Sequence, residues 1–308
     1  MDRGRGATHR EAFRTRTDVN RVVLVSNPNS GRSDEEALER VAKHLAEVGE
    51  VVRVTPASVE SFAGELAEPA RGADLVVVAG GDGTLNCAVN GLGNKLQETQ
   101  LGVVPMGTGN DLARTVGIPL DPDEAAAGIV AGRPRPLDVG LARAQDAQRL
   151  FVNACMGGFP VAVDEAIEGP IKDRLGPFAF WVGGAKVLTD LTRYDVRIGT
   201  RRWQRLVAIG VGNGKTAGGG IRVFPDADPS DGRFDICALG ADSVADGLRM
   251  LTRIRSGEHG ELPTVDHVRL ERFTVEAEPE LEFNVDGELV DLITPVEFSV
   301  FGSAMLRH

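Results

Sequence analysis

Ala73–Asn86 reads ADLVVVAGGDGTLN, an apolar run that stops abruptly on two glycines and an aspartate. Leu75, Val76, Val77 and Val78 do not alternate with polar residues, which suits a strand of a parallel sheet covered on both faces. Gly80, Gly81 and Gly83 then let the backbone turn sharply and approach a ligand closely. From Leu85 onward the sequence reads as a helix start, whose free N–H groups face the same place and suit phosphate.

One glycine turn after a strand serves a tight βα connection as readily as a ligand, so on this motif alone the two readings weigh evenly. A second turn of the same kind follows at Leu101–Asp111, LGVVPMGTGND, where Gly107-Thr108-Gly109 lead into Asn110 and Asp111. Glycine turns at the carboxyl ends of successive strands face one crevice, where open α/β sheets bind ligands. Asn27–Arg32, NPNSGR, follows the apolar strand Arg21–Ser26 and points the same way.

The rest of the first half keeps alternating. Ser33 and Glu36 form a capping box, after which Ala37, Leu38, Val41, Ala42 and Leu45 recur at helical spacing until Gly49. Glu50–Val54 reads as strand, Ser58–Ala70 as weakly helical, and Asp111–Val116 and Asp123–Ala131 as helices, before Pro134 and Pro136 break the pattern. This predicts a doubly wound parallel α/β domain. Beyond Pro136, Asp138–Ala144, Leu150–Met156, Tyr194–Gly199, Trp203–Val211, Arg233–Leu239, Val268–Ala277, Leu281–Val285 and Val296–Phe301 read as strands, with helices at Phe178–Leu191 and Ser243–Ile254. So strand-rich a stretch predicts a mainly antiparallel β-sandwich second domain, with the boundary near Pro134–Leu137. A length of 308 residues accommodates two cores.

Composition removes several function classes. A net charge of −11 sets the chain against nucleic acid as a partner. Three cysteines (Cys87, Cys155, Cys237) without a CxxC pair fit a reducing compartment and, like the five scattered histidines, give no metal-binding spacing. No apolar run is long enough to span a bilayer, and the arginine-rich Met1–Asp18 lacks the apolar segment of a secretory signal, so residues 1–19 read as a disordered tail.

NPNSGR at Asn27–Arg32, GGDGTLN at Gly80–Asn86, PMGTGNDLA at Pro105–Ala113, DVG at Asp138–Gly140, DPSDG at Asp228–Gly232 and DGE at Asp286–Glu288 together resemble the diacylglycerol kinase catalytic-domain family of lipid kinases. GGDGT alone is shared with NAD kinases and phosphofructokinases. The resemblance implies an ATP- and Mg²⁺-dependent kinase acting on a lipid hydroxyl, with a cleft between two domains. It assigns residues 20–136 and about 302–308 to a nucleotide-binding domain, and residues 137–301 to a lipid-substrate domain. The rivals are a small-molecule kinase of the NAD kinase type and a nucleotide-binding module without catalysis. Cys87 suggests the latter, since many family members carry glutamate there.

Phosphoryl transfer needs a held triphosphate, a metal to offset its charge and a base aimed at the acceptor. Gly80, Gly81, Gly83 and Thr84, with Gly107, Thr108, Gly109 and Asn110, offer backbone donors for the nucleotide, and Asn27, Ser30 and Arg32 add side-chain contacts. Asp82 sits where the glycine loop makes room for it to face Mg²⁺ or its waters. Asp111 suits a helix N-terminus for its charge alone, but the resemblance makes it and Asp138 site residues. On the residues alone DPSDG is an ordinary Asp-Gly turn. The resemblance implies a structural metal held by Asp228 and Asp231, with Arg233 supplying a backbone carbonyl. It likewise implies Asp286 as general base, with Glu288 as metal or cleft partner.

Lys186, Arg193, Arg197, Arg201, Arg202 and Arg205, opposed by Asp190 and Asp195, are interleaved with Phe178, Phe180, Trp181, Tyr194 and Trp203. Such a mixture suits peripheral contact with a membrane surface; a helix followed by a charged hairpin would read the same. The expected setting is cytoplasmic, including the inner membrane face, and a homodimer is admitted.

Overall fold

The computed structural model describes residues 19–26, 32–158 and 192–308, apart from the side chains at 32–34, 244, 248 and 251. Asn27, Ser30, the side chains of Arg32 and Ser33, Lys186 and the expected helix Phe178–Leu191 with its aromatic residues lie outside that set. The described residues fall into two compact units. One takes the chain up to Met106, Gly117–Leu137 and Ser303–His308; the other takes Gly107–Val116 and Asp138–Gly302.

In the first unit β1 (Arg21–Ser26), β2 (Glu50–Val54), β3 (Leu75–Gly80) and β4 (Gln100–Pro105) are parallel. β1 lies between β2 and β3, with Val23 opposite both Val52 and Val76. Every residue of β3 and β4 is buried, which is why both read as unbroken apolar runs. Beyond β4 the order continues into the last residues of the chain, where Met305 and Leu306 pair in parallel with Gln100 and Leu101. Helices α1 (Arg32–Leu45), α2 (Phe62–Ala67) and α3 (Asp82–Leu92) alternate with these strands; α4 (Asp111–Val116) groups with the second unit, and α5 (Pro122–Ala131) returns to the first. Leu38, Val41 and Leu45 form the buried stripe of α1. Asp121 caps α5 by accepting the N–H groups of Asp123 and Glu124. Because β1 connects to β2 on one side and lies beside β3 on the other, the chain reverses direction at the carboxyl ends of β1 and β3, the switch point of such sheets.

The second unit is antiparallel. Its strands are the part of β5 (Pro134–Arg143) from Asp138 onward, β6 (Gln148–Phe151), β7 (Ala154–Gly158), β8 (Tyr194–Ile198), β9 (Arg201–Gly212), β10 (Phe234–Gly240), β11 (Val265–Leu270), β12 (Arg272–Glu278), β13 (Glu282–Val285), β14 (Glu288–Ile293) and the first half of β15 (Val296–Arg307); α6 (Val244–Ile254) follows β10. β9 pairs with β7, β8 and β10, while β13 pairs with β7 and β14. Alternation in β10 divides two cores: Phe234, Ile236 and Ala238 enter one with Phe283 and Phe298, whereas Cys237 and Leu239 enter the other with Phe224, Met250 and Ile254.

Local pattern and structure differ at several boundaries. β5 begins at Pro134, ahead of the expected strand start at Asp138, and so takes in Pro134 and Pro136. The run Leu150–Met156 divides into β6 and β7 around Val152 and Asn153, and Val268–Ala277 divides into β11 and β12 at Glu271. β15 continues to Arg307, beyond the expected end at Phe301.

Candidate functional site

The glycine turn of the first unit is tighter than the sequence implies, because α3 begins at Asp82, with Gly81 as its cap, and not at Leu85. Asp82, Gly83 and Thr84 therefore make the first helical turn, where N–H groups have no intrahelical carbonyl to meet. A Cβ at Gly80 would come within 2.6 Å of the Thr84 side chain, so only glycine lets the strand end this close to the helix start. The Met106 N–H donates to the Gly80 carbonyl at 3.0 Å, tying the end of β4 to the end of β3. Thr84 is buried, and Asp82 is half-buried on the first turn. Cys87 lies one turn further on, also half-buried.

The second glycine turn closes on itself. Asn110, at φ 52°, accepts the Gly107 N–H at 3.0 Å and donates its amide to the Gly107 carbonyl at 2.6 Å. This takes up the Gly107 N–H that the sequence reading offers to phosphate. Thr108 and Gly109 complete the loop, and the Gly109 carbonyl accepts the Arg114 Nε–H at 2.8 Å. Asp111 is 5% exposed, and each of its oxygens accepts one N–H, from Gly219 at 2.9 Å and Gly220 at 2.7 Å. Thr115 accepts the Lys215 N–H, and the Asp111 carbonyl accepts the Thr216 hydroxyl. α4 thus belongs to the second unit because it braces the loop from Lys215 to Gly220.

Asp286 and Gly287 form the two-residue turn between β13 and β14, with φ 49° and 86°, the conformation of a tight Asp-Gly hairpin. The Asp286 carboxylate is buried under three backbone donors: Asn153 at 3.0 Å and Ala154 at 2.9 Å on Oδ1, and Val152 at 3.1 Å on Oδ2. The interruption between β6 and β7 that local pattern misses is the segment that holds this carboxylate. Glu288 is exposed at the start of β14, opposite Val285.

Asp138 is 1% exposed; its Oδ2 accepts the Gly232 N–H at 2.7 Å, and its own N–H donates to the Pro229 carbonyl. The DPSDG turn is therefore seated on Asp138. Within it Asp228 accepts the Ser230 N–H and hydroxyl, and Asp231 accepts the Arg233 N–H while lying 3.8 Å from Arg269. Both carboxylates are exposed, a set of hard oxygen donors at a turn.

Two asparagines absent from the sequence reading join these pieces. Asn213 donates to the carbonyls of both Asp138 and Val152, at 2.9 and 2.7 Å. Asn153 donates to the Thr216 carbonyl, whose hydroxyl donates to Asp111. Asp111, Asp138, Asp286 and the turn from Asp228 thus lie in one hydrogen-bonded chain within the second unit. The side-chain oxygens of Asn153 and Asn213 are buried and have no hydrogen-bond partner among the described residues. Two asparagines at the ends of buried apolar strands are the sequence signal that could have flagged them.

Residues 21–142 match the diacylglycerol kinase catalytic domain, and residues 156–306 match the YegS C-terminal NAD kinase beta sandwich-like domain. A protein of Bacillus subtilis (strain 168) named diacylglycerol kinase is 31% identical over 293 residues, covering 91% of this chain and 93% of the relative. One of the same name from Staphylococcus aureus (strain bovine RF122 / ET3-1) is 29% identical over 276 residues, covering 87% of this chain and 86% of the relative. A solved structure from Bacillus anthracis str. Sterne shares the fold with TM-score 0.76 at 24% identity, over 96% of this chain and 98% of that one.

Proposed function

The chain belongs to the diacylglycerol kinase catalytic-domain family, a phosphotransferase with an alcohol acceptor, and on that premise we propose that it moves the γ-phosphate of ATP to a hydroxyl of a diacylglycerol-like lipid. The observation that carries this reading is the Gly80–Thr84 turn. At the switch point of a parallel sheet, a glycine whose Cβ would strike Thr84 opens a helix N-terminus to a phosphate chain. In this reading the N–H groups of Asp82, Gly83 and Thr84 hold the nucleotide phosphates.

Asp286 takes the proton from the lipid hydroxyl. Its three backbone donors fix the carboxylate in place, as a general base must be fixed. The exposed oxygens of Asp228 and Asp231 suit Mg²⁺, and when bound it would fasten the turn that Asp138 seats. In this reading Asp82, on the first turn of α3, would face a nucleotide-bound Mg²⁺, which would offset phosphate charge. Arg201 and Arg202, exposed at the start of β9, would give an acidic protein a local basic contact with anionic lipid.

Transfer of labelled phosphate from ATP, screened across diacylglycerol, phosphatidylglycerol, sphingoid bases, isoprenoid-ether glycerols and NAD, tests the proposal. Label in a lipid product is expected. Label in NAD alone, or in nothing, would overturn it.

A further inference from the structure

Cys237 and His267 are directly opposite one another in the β10–β11 ladder, so their side chains leave the same face of the sheet. The 3-10 turn His259–Glu261 brings His259 onto that face. Cys237 Sγ lies 3.6 Å from His259 Nε2 and 3.7 Å from His267 Nε2, and one ligand atom from each residue falls within 4.8 Å of the other two. Tetrahedral zinc, with bonds of about 2.3 Å to sulfur and about 2.0 Å to nitrogen, sets an S···N edge of about 3.5 Å. Both measured edges are within a few tenths of an ångström of that value.

The surroundings of His259 define what binding must displace. His259 is 0% exposed; Nε2 is 3.0 Å from the Val223 carbonyl, and Nδ1 is buried with no protein partner. The nitrogen that faces the Cys237 sulfur is thus the one that meets the Val223 carbonyl, and a cation at this place takes over from that contact. His267, by contrast, is exposed and gives a route to solvent. Partial burial lowers the His267 pKa, and the negative charges of Asp235, Asp226 and Asp266 act against it. None of these residues takes part in the chemistry assigned to Asp286 or the glycine turn.

We propose that Cys237, His259 and His267 form a binding site for one borderline divalent cation of the zinc class. A thiolate and two imidazoles select such an ion over Mg²⁺, which prefers oxygen. Binding replaces the Cys237 thiol proton, which passes to solvent, and displaces the contact of His259 Nε2 with the Val223 carbonyl; the His259 ring is then protonated on Nδ1, and water takes the fourth position. The ion ties the excursion between β10 and β11, which includes α6 and the 3-10 turn, to the sheet it leaves.

The test uses the full chain, treated with chelator and titrated with Co²⁺ alone. A thiolate-to-cobalt charge-transfer band should appear, saturate at one ion per chain, be bleached by Zn²⁺ and ignore excess Mg²⁺. Cys237→Ser should abolish the band; His267→Gln, a change at an exposed position that spares the core, should weaken cobalt binding at least tenfold. Absence of the band in the parent, or an undiminished titration in His267→Gln, would overturn the proposal. Both readouts are independent of phosphate transfer.

Discussion

Asp111 and Gly220 are joined by a 2.7 Å bond from the glycine N–H to Oδ1, while the other carboxylate oxygen holds the neighbouring Gly219. Both glycines have positive φ, 87° and 96°, and so need outside support to stay in one conformation. Asp111→Asn leaves one acceptor oxygen for two donors. It should cost about 1–3 kcal/mol of stability, and the Gly219 and Gly220 amides should exchange faster. Denaturation midpoints equal to the parent's would remove Asp111 from this role.

For Asp286, replacement by Asn should lower turnover by about 10²–10⁴-fold while ATP affinity stays near the parent value, because the glycine turn is unaltered. The amide also cannot accept from all three of Val152, Asn153 and Ala154, so some loss of stability accompanies the change. Turnover is therefore to be measured well below the variant's melting point. Near-normal turnover there would assign the base elsewhere.

At Gly80 the constraint is steric and can be undone. Gly80→Ala should destabilise by about 1–3 kcal/mol and weaken ATP binding, since the new methyl meets Thr84 at 2.6 Å. Adding Thr84→Gly, which removes the Cβ that the new methyl meets at 2.6 Å, should recover much of the stability, whereas Thr84→Ala keeps that atom and should recover little. Strict additivity of the two changes in a double-mutant cycle would show that this contact is not the cause.

In metal-free protein, acid should act through His259. Burial and the neighbouring His267 lower its pKa from 6.5 to about 4. The unfolded chain therefore binds the proton first, and the stability that neutral His259 contributes is complete above pH 6.5 and lost as pH falls towards 4. Urea midpoints should drop between pH 7 and pH 5, and the drop should shrink in His259→Gln. An identical pH dependence in both proteins would rule this out.

The hairpin of β8 and β9 offers a membrane test narrower than the sequence suggests. Arg197 is ion-paired with Glu276, and the Trp203 indole donates to Asp266, so neither is available in the way a run of basic and aromatic residues implies. Arg201 and Arg202 are the basic pair to reverse. Arg201→Glu with Arg202→Glu should reduce sedimentation with anionic vesicles while leaving activity on a short-chain, detergent-soluble lipid unchanged. Equal sedimentation would leave the hairpin a solvated edge.

The parallel half was legible because a strand covered on both faces must be largely apolar, as β3 is throughout and β4 is from Leu101 onward. The antiparallel half was blurred where a strand changes partners. β11 pairs with β10, and β12 with β15 and β8, yet residues 268–277 read as one run because alternation records a face and not a neighbour. The same holds for the site. Asp111, Asp138 and Asp286 could be picked out by motif, but the donors that fix them come from residues 219–220, 232 and 152–154, far off along the chain. Cys237 is 22 residues from His259 and 30 from His267, separations that match no metal-binding spacing and become neighbours only through the β10–β11 ladder.

The pairing of Met305 and Leu306 with Gln100 and Leu101 has a consequence for synthesis on the ribosome. β4 emerges early, but the residues that cover its outer edge come some two hundred positions later. At about 5–20 residues per second, that edge waits on the order of ten seconds or more for its partner. Gln100–Pro105 is apolar after Gln100 and destined to be buried throughout, the kind of unpaired strand to which another nascent chain can add. Arg307, which donates to the Ile129 and Val130 carbonyls at the end of α5, arrives last and locks the late strand against an element made long before. Changes near residues 303–308 should therefore reduce the yield of folded protein during expression more than they reduce the activity of the molecules that do fold.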